Sequence, residues 1–597
     1  MIFFDFETLK TIWTVSYLDT RTREIKTIVN NRDELLKFYE ENKKEIFVGF
    51  NNRHFDNYIF QGILAGFDPY KITDWIINKD RKGWEFSSLL RNYPLITYDV
   101  MVGFRGLKEI EAFMGISIEE SSIPFDIDRE LTEDEIKELV RYNQYDVMAT
   151  FLTFLETDYE YESHIGLIEE FNLPLWMLGR TKSQISAEIL NASQPPMERN
   201  DEFDIEFVDN LQLGKYEYIR EHFQNWADNI QDYDKIALET EVVGVPTVVA
   251  NGGIHSSFER LMDTGRFILL DVGSFYPALM IEHGFISRNV PNPEKFKQIR
   301  DERIEMKKMG DPRESPRKIV LNGSYGSTKF KYSKLYDPLM ANNICLNGQL
   351  LLIDLAEKLE KYVKVYYMNT DSVMVKVYSD WEEDRVKEIV KEWETRHNLT
   401  MDYEYFNKIV VKDVNNYIFI GDEKIDRGGA VVKRLSKIDN DLPIVNKAVV
   451  DYFVKGISPR EIIYNSDKLI DFQKITKISN KYEFGFHEVT GGKDKYSWQV
   501  PIYRTRNKER YLAGYKTIQK EGHKLSEKVI RCFASTDPRD GTIFKKHKEK
   551  DSLDKTGATP EKAFIDNGDI TEKGIPSKLD LEWYINLAEQ RIKEFVR

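Results

Sequence analysis

The chain has 597 residues, 41% of them apolar and 31% charged, which predicts several domains with ample buried volume. Its formal net charge of −15 excludes bulk positive charge as a source of nucleic-acid affinity but leaves room for a local basic groove, since only charges near phosphates release counterions. Two cysteines in unrelated contexts, Cys345 and Cys532, predict neither a disulfide framework nor a zinc site, and the lack of a run of about 18 uncharged apolar residues predicts no membrane span.

Met1 leads at once into Ile2-Phe3-Phe4-Asp5-Phe6-Glu7, which reads as an apolar strand and not as a secretory leader. Period two sets Asp5 and Glu7 on one face. A second apolar strand, Ile46 to Phe50, precedes Asn52-Arg53-His54-Phe55-Asp56. Thr132 and Glu135 have the spacing of a capping box and open a helix predicted to reach Thr157. On it Tyr142 and Asp146, four apart, share a face. Acids in this pattern suit two divalent cations that activate a water and clamp a phosphate. Tyr142 suits orientation of that water, and Asn52 and Phe55 suit a frayed single-stranded end.

Residues 158–246 read as mostly helical. Strand character returns at Thr247, and Arg266 to Asp271 is a strand ending in an acid. Val272-Gly273-Ser274-Phe275-Tyr276-Pro277 then turns into a helix. Helices are predicted at 293–309, 315–330 and 339–362. Arg303 and Lys307 lie one turn apart on the first, while Lys318, Asn322 and Tyr325 form one stripe on the second. Lys364 to Val377 reads as two strands around the tight turn Asn369-Thr370-Asp371-Ser372. The remainder mixes Lys/Arg-rich and acidic pieces.

Together these segments resemble family B DNA polymerases, of the compact kind carried by bacteriophages. Asp-Phe-Glu-Thr, Asn-x-x-Phe-Asp and Tyr-x-x-x-Asp are similar to the three motifs of the proofreading 3′→5′ exonuclease. Asp271 to Pro277 resembles motif A, with Phe275 for the usual Leu. Lys318 to Gly326 resembles motif B, with Gly323 where Ser is common. Tyr367 to Ser372 resembles motif C, with Asn369 in place of its first Asp. The resemblance implies that Asp5, Glu7, Asp56 and Asp146 bind metal with Tyr142 positioning the water, and that Thr8, Asn52 and Phe55 contact the primer end. It implies that Asp271, Val272 and Asp371 hold the polymerase metals. Ser274, Phe275, Tyr276, Arg303, Lys318, Asn322 and Tyr325 are then nucleotide ligands, with Tyr276 excluding a ribose 2′-hydroxyl. Thr370, Lys412 and Tyr417 would meet DNA. The implied cofactor is Mg²⁺ or Mn²⁺, two per active site.

The implied fold is multidomain α/β and α+β: an RNase H-like exonuclease domain followed by palm, fingers and thumb. Its expected divisions are the exonuclease at 1–157, a helical connection at 158–246, palm at 247–292, fingers at 293–335, palm again at 336–440, and a thumb with the C-terminal region at 441–597. The expected partners of this monomer are primer–template DNA and dNTPs, with a helicase, primase or single-strand-binding protein, and no membrane. The expected location is the cytoplasm of an infected bacterium. Only 47 positions separate Asp271 from Lys318 and 43 separate Gly326 from Asn369, which leaves little room for extra subdomains and predicts extension of a nucleic-acid primer rather than of a protein hydroxyl. Asn369 and Gly323 keep a second reading open, an exonuclease with an impaired polymerase site.

Overall fold

The computed structural model describes residues 1–101, 103, 105–196, 199–226, 237–506 and 509–596. They form a mixed α/β protein of two compact units. The first comprises Met1–Tyr161, Leu435–Tyr452 and Gly456–Glu589; the second comprises Glu162–Arg434, Phe453–Lys455 and Gln590–Arg597.

The first unit begins with strands β1 (Ile2–Thr8), β2 (Trp13–Asp19), β3 (Glu24–Val29), β4 (Ile46–Gly49) and β5 (Ile96–Asp99), in the order β3-β2-β1-β4-β5. β1 runs antiparallel to β2 and parallel to β4. Its alternation decides the site. Phe4 and Phe6 enter a core with Phe47 and Phe60, whereas Phe3 turns to the other face and meets Phe151 and Phe154 of the helix Glu133–Glu156 at 5.0 and 5.3 Å. Asp5 and Glu7 share the parity of Phe3 and so face that helix. The helix starts as its cap predicts: Thr132 Oγ1 accepts from Glu135 N, and Thr132 N donates to Glu135 Oε2.

The second unit is built on one sheet of β6 (Leu238–Val242), β7 (Val245–Ala250), β8 (Gly253–Ser257), β9 (Leu261–Val272), β10 (Lys364–Asn369), β11 (Ser372–Val377), β12 (Met401–Asp413), β13 (Asn416–Ile420) and β14 (Ile425–Gly428). Its order is β14-β13-β12-β9-β11-β10-β8-β7-β6. Because β9 lies between β12 and β11, Asp271 pairs in register with Asp402 on one side and Ser372 on the other. Helices Phe275–Glu282, Pro293–Met309 and Glu314–Thr328 follow β9. The helix Pro338–Leu359 is long and apolar enough to cross a membrane, yet its apolar window is wholly buried within the protein.

That buried helix explains a difference from expectation. The stretch 158–246 is helical at Asp158–Glu170, Lys182–Ile189 and Glu217–Gln224, but it also carries an extended strap over 202–213 and then enters the sheet. The strap pairs with no strand. Side chains of the helix serve its backbone instead: Asn342 donates to Glu202 O, Asn343 accepts from Glu206 N, Asn347 bonds both Glu206 O and Val208 N, and Asp354 accepts from Gln212 N. Backbone groups satisfied by a remote helix leave no local pattern to read.

The chain beyond residue 434 returns mainly to the first unit. It contributes β15 (Lys474–Lys477), β16 (Tyr482–Val489), β17 (Asp494–Arg506), β18 (Glu509–Leu525), β19 (Val529–Ala534), β20 (Asp540–His547), β21 (Leu553–Lys555) and β22 (Ala563–Ile565). They make two sheets, β15-β19-β22 and β17-β18-β16-β20-β21. The far end of the β17–β18 ribbon is exposed and bears Tyr503, Arg504, Arg510, Tyr511, Tyr515 and Lys516. Ile475 of β15 and Val529 pack with Ala112, Phe113 and Ile118 of the N-terminal segment.

Candidate active sites

In the first unit, Asp5 and Glu7 of β1 and Asp146 of the helix Glu133–Glu156 bring one carboxylate oxygen each within 4.8 Å of one another. Asp56 opens the helix Asp56–Leu64 and accepts from Phe6 N, the amide between the two strand acids, at 3.1 Å. Asn143 fixes Asp5 from the helix, donating to its carboxylate at 2.7 Å, and itself accepts from Thr14. Tyr142 lies buried beside Asp146.

Burial, and then mutual repulsion, pushes Asp5 and Glu7 well above the usual carboxylate range. Asp56 is raised to about 7, chiefly by burial. One cation sits among these acids. Lys108 Nζ donates to Asp146 at 2.5 Å and to the buried Glu111 at 3.1 Å, with Nζ 4.7 Å from the centre of the Tyr142 ring. Burial works against its charge, but Asp146 and Glu111 outweigh burial and hold the lysine protonated. The three convergent carboxylates of Asp5, Glu7 and Asp146, with Asp56 nearby and one lysine, remain short of positive charge. An all-oxygen donor set of this kind fits a hard divalent cation.

The other positions expected here are Thr8, Asn52 and Phe55. Thr8 is buried and its hydroxyl bonds Thr73 at 2.7 Å. Asn52 is fully buried, reaches Asn57 through Nδ2, and among the described residues finds no hydrogen-bond partner for Oδ1. Phe55 is half-buried at the start of the Asp56 helix.

In the second unit a cleft of about 950 Å³ is lined by Asp271, Val272, Ser274, Phe275, Tyr276, Arg303, Lys318, Asn322, Tyr325 and Asp371, together with Arg300, Lys307, Lys308 and Asp402. Burial, then Asp371, raises Asp271 to about 7. Asp371 is also raised, by burial. Ser274 takes φ +51°, a left-handed kink at the exit from β9, and accepts from Arg303 at 3.2 Å. Arg303 is also held by Glu314. Tyr276 and Tyr325 meet with ring centres 4.1 Å apart and form an aromatic floor. Lys318 and Asn322 stand exposed above them on the helix Glu314–Thr328. Gly323 has no positive φ, and a Cβ there would meet only Ser186 Oγ at 3.7 Å.

Asn369 has its own role in the β10–β11 turn. Its Nδ2 donates to Tyr367 OH at 2.8 Å, Tyr367 OH in turn donates to Val414 O, and its Oδ1 bonds His255 Nδ1 and Thr370 Oγ1. Tyr367 spends its proton on a carbonyl, so it needs a donor at 369, which an amide supplies and a carboxylate does not. Thr370 takes φ +52°. Tyr417 stacks on Phe419 at 4.4 Å, and Lys412 pairs with Glu594 at 2.9 Å.

No protein-family model and no curated protein matches this sequence. Among solved structures, the family B DNA polymerase from the hyperthermophilic archaeon Pyrobaculum calidifontis is similar over all of this chain and 77% of that one, at 14% identity and a TM-score of 0.40.

Sequence reasoning missed Lys108, Glu111 and Asp402. Lys108 and Glu111 lie on a short helix, Leu107–Met114, whose pattern is that of any amphipathic surface helix. Asp402 carried a weak signal, an acid near the start of the strand Met401–Asp413.

Proposed function

We propose that the chain is a template-directed DNA polymerase, the replicative enzyme of a phage acting in the cytoplasm of its bacterial host, with its own 3′→5′ proofreading exonuclease. The observation that carries this reading is the set of groups that share the cleft in the second unit. The acids Asp271, Asp371 and Asp402, the bases Arg303, Lys307 and Lys318, and the paired rings of Tyr276 and Tyr325 all line it. A nucleoside triphosphate has matching parts: an anionic tail, a flat base and a reactive phosphate that calls for cations.

Mg²⁺ or Mn²⁺ bound by Asp271 and Asp371, and likewise by Asp5, Glu7 and Asp146, would activate the attacking oxygen and screen the phosphate. The chain's own groups do the rest. Arg303 and Lys318 bind the triphosphate, and the Ser274 kink holds Arg303 toward it. The Tyr276 ring supports the sugar and leaves no room for a 2′-hydroxyl. In the first unit Tyr142 keeps its proton, because burial and Asp146 raise its pKa; Asp146 takes that proton in a hydrogen bond, and the hydroxyl oxygen can accept from a water. Lys108 holds Asp146 through its hydrogen bond and offsets part of the burial that raises the Asp146 pKa. The exposed basic and aromatic ribbon of β17 and β18 offers a surface for DNA phosphates and bases.

The intervals between motifs hold the helices Phe275–Glu282, Pro293–Met309, Glu314–Thr328 and Pro338–Leu359, and among the described residues no additional sheet. This supports extension from a nucleic-acid primer. The engagement of Asn369 with Tyr367 and His255 weighs against an impaired centre, since the amide has a structural use. A primer–template assay in Mg²⁺ or Mn²⁺ tests the proposal: extension with dNTPs and shortening without them are expected. Shortening alone would leave an exonuclease, and neither activity would end the reading.

A further inference from the structure

The helix Leu107–Met114 places Lys108 on Asp146, yet the helix is too short to hold itself. Its C-terminal carbonyls have no partners within the helix, and the C-terminal region supplies them. The guanidinium of Arg531, in β19, donates to Glu111 O, Ala112 O and Ile116 O, and on its other side to Asp566 O and Gly568 O. Gln473 donates to Phe113 O, and Ile570 N donates to Gly115 O. Gly115 itself takes φ +80°, and a Cβ on it would lie 2.5 Å from Ile470 Cδ1. At the helix's other end Arg105 pairs with Asp439, while Glu109 pairs with Lys477.

Arg531 is fully buried, and among the described residues every hydrogen bond of its side chain ends on a carbonyl. Its charge is placed where a helix C-terminus favours a cation. Burial lowers its pKa to about 10, still far above neutrality. A buried charge that binds five carbonyls on two segments of backbone does more than fill space, since an apolar residue there would leave those carbonyls unpaired. A planar fork of five N–H donors, by contrast, fixes direction.

We infer that Arg531 is a positioning residue for the carboxylate centre of the first unit, clamping the end of the helix Leu107–Met114 so that Lys108 stays on Asp146. The inference rests on the exonuclease reading of that centre and adds that the centre is completed by chain more than 400 positions downstream, with Arg531 and Ala112 separated by 419.

The test is a double-mutant cycle on the full-length chain in Mg²⁺. Digestion of a single-stranded oligonucleotide and primer extension are measured for the wild type, Arg531→Gln, Lys108→Met and the double variant, with thermal unfolding alongside. Arg531→Gln is expected to lower exonuclease kcat by about 10-fold or more, as a displacement near 1 Å does, with KM within about twofold and extension unchanged. In the Lys108→Met background it should cost less than about threefold more, because the group it positions is gone. Arg531→Lys should restore part of the loss. If Arg531→Gln does not fold, Gln473→Met removes a different donor of the same clamp and is judged by the same cycle. Losses that multiply in the double variant, or equal loss of both activities, would overturn the inference. An active wild type indifferent to these changes would sink the inference alone. A wild type without exonuclease activity would sink the exonuclease reading as well.

Discussion

The two carboxylate centres differ in where their positive charge lies. In the first unit Asp5, Glu7 and Asp146 converge, with Asp56 held on the Phe6 amide, in a largely buried site that contains its own cation, Lys108. In the second unit Asp271 and Asp371 stand at strand ends beside an open cleft, and the bases that line the cleft are on the helices Pro293–Met309 and Glu314–Thr328. A centre that cuts one phosphodiester needs only local neutralisation. A centre that receives a triphosphate must hold back several cations for the ligand itself.

The largest expected effects break the comparison into its halves. Asp5→Ala with Glu7→Ala should reduce exonuclease activity on the order of 10²–10³-fold and leave extension intact, while Asp271→Asn or Asp371→Asn should do the reverse to a similar degree. Parallel loss of both activities in any of these folded variants would mean that the centres are not independent. Tyr276→Val should lower the preference for dNTP over rNTP, read as a ratio of kcat/KM, by roughly 10–100-fold, because it opens the space over the aromatic floor. An unchanged ratio would remove the steric role from Tyr276.

Asn369 sharpens the comparison, since it sets an amide two residues before Asp371 in the same turn. Asn369→Ala should lower extension by about 10-fold or less, far below the effect of Asp371→Asn, because it loosens the turn without removing a ligand. Asn369→Asp should be no better than Asn369→Ala, since Tyr367 then loses its donor. A gain of activity on restoring the acid would show that the amide is a deficit and not a fitting.

Protonation bears on both centres, since burial also raises Asp271 to about 7. Burial raises Asp56 to about 7 and Glu111 to about 8. A carboxyl raised on folding binds more protons in the folded than in the unfolded state, so stability falls as pH rises from the unfolded to the folded pKa. Without divalent cations the Tm should therefore drop between about pH 4 and pH 8, and Mg²⁺ should raise the Tm more at pH 8 than at pH 5. Equal Mg²⁺ effects at both pH values would argue against cation binding by these acids. The smallest effect is at Gly323: with ordinary space for a Cβ, Gly323→Ala should stabilise the helix Glu314–Thr328 by about 0.5–1 kcal/mol in thermal unfolding.

Local chemistry made much of this protein legible in its sequence. Period two put Asp5 and Glu7 together, the Thr132–Glu135 box started the helix that carries Asp146, and a four-residue turn brought Asp371 back beside β9. Each of these depends on residues a few positions apart, and backbone geometry sets such spacings wherever the segment lies. Tertiary structure decided the rest. Lys108 meets Asp146 across 38 positions, Asn347 serves the strap backbone across 139, and Arg531 caps a helix 419 positions upstream. In each case a polar side chain is buried by an unrelated segment and finds its partner on that segment's backbone or acids. Burial is what makes the bond necessary, and burial is a property of the folded chain, so no window of sequence carries it.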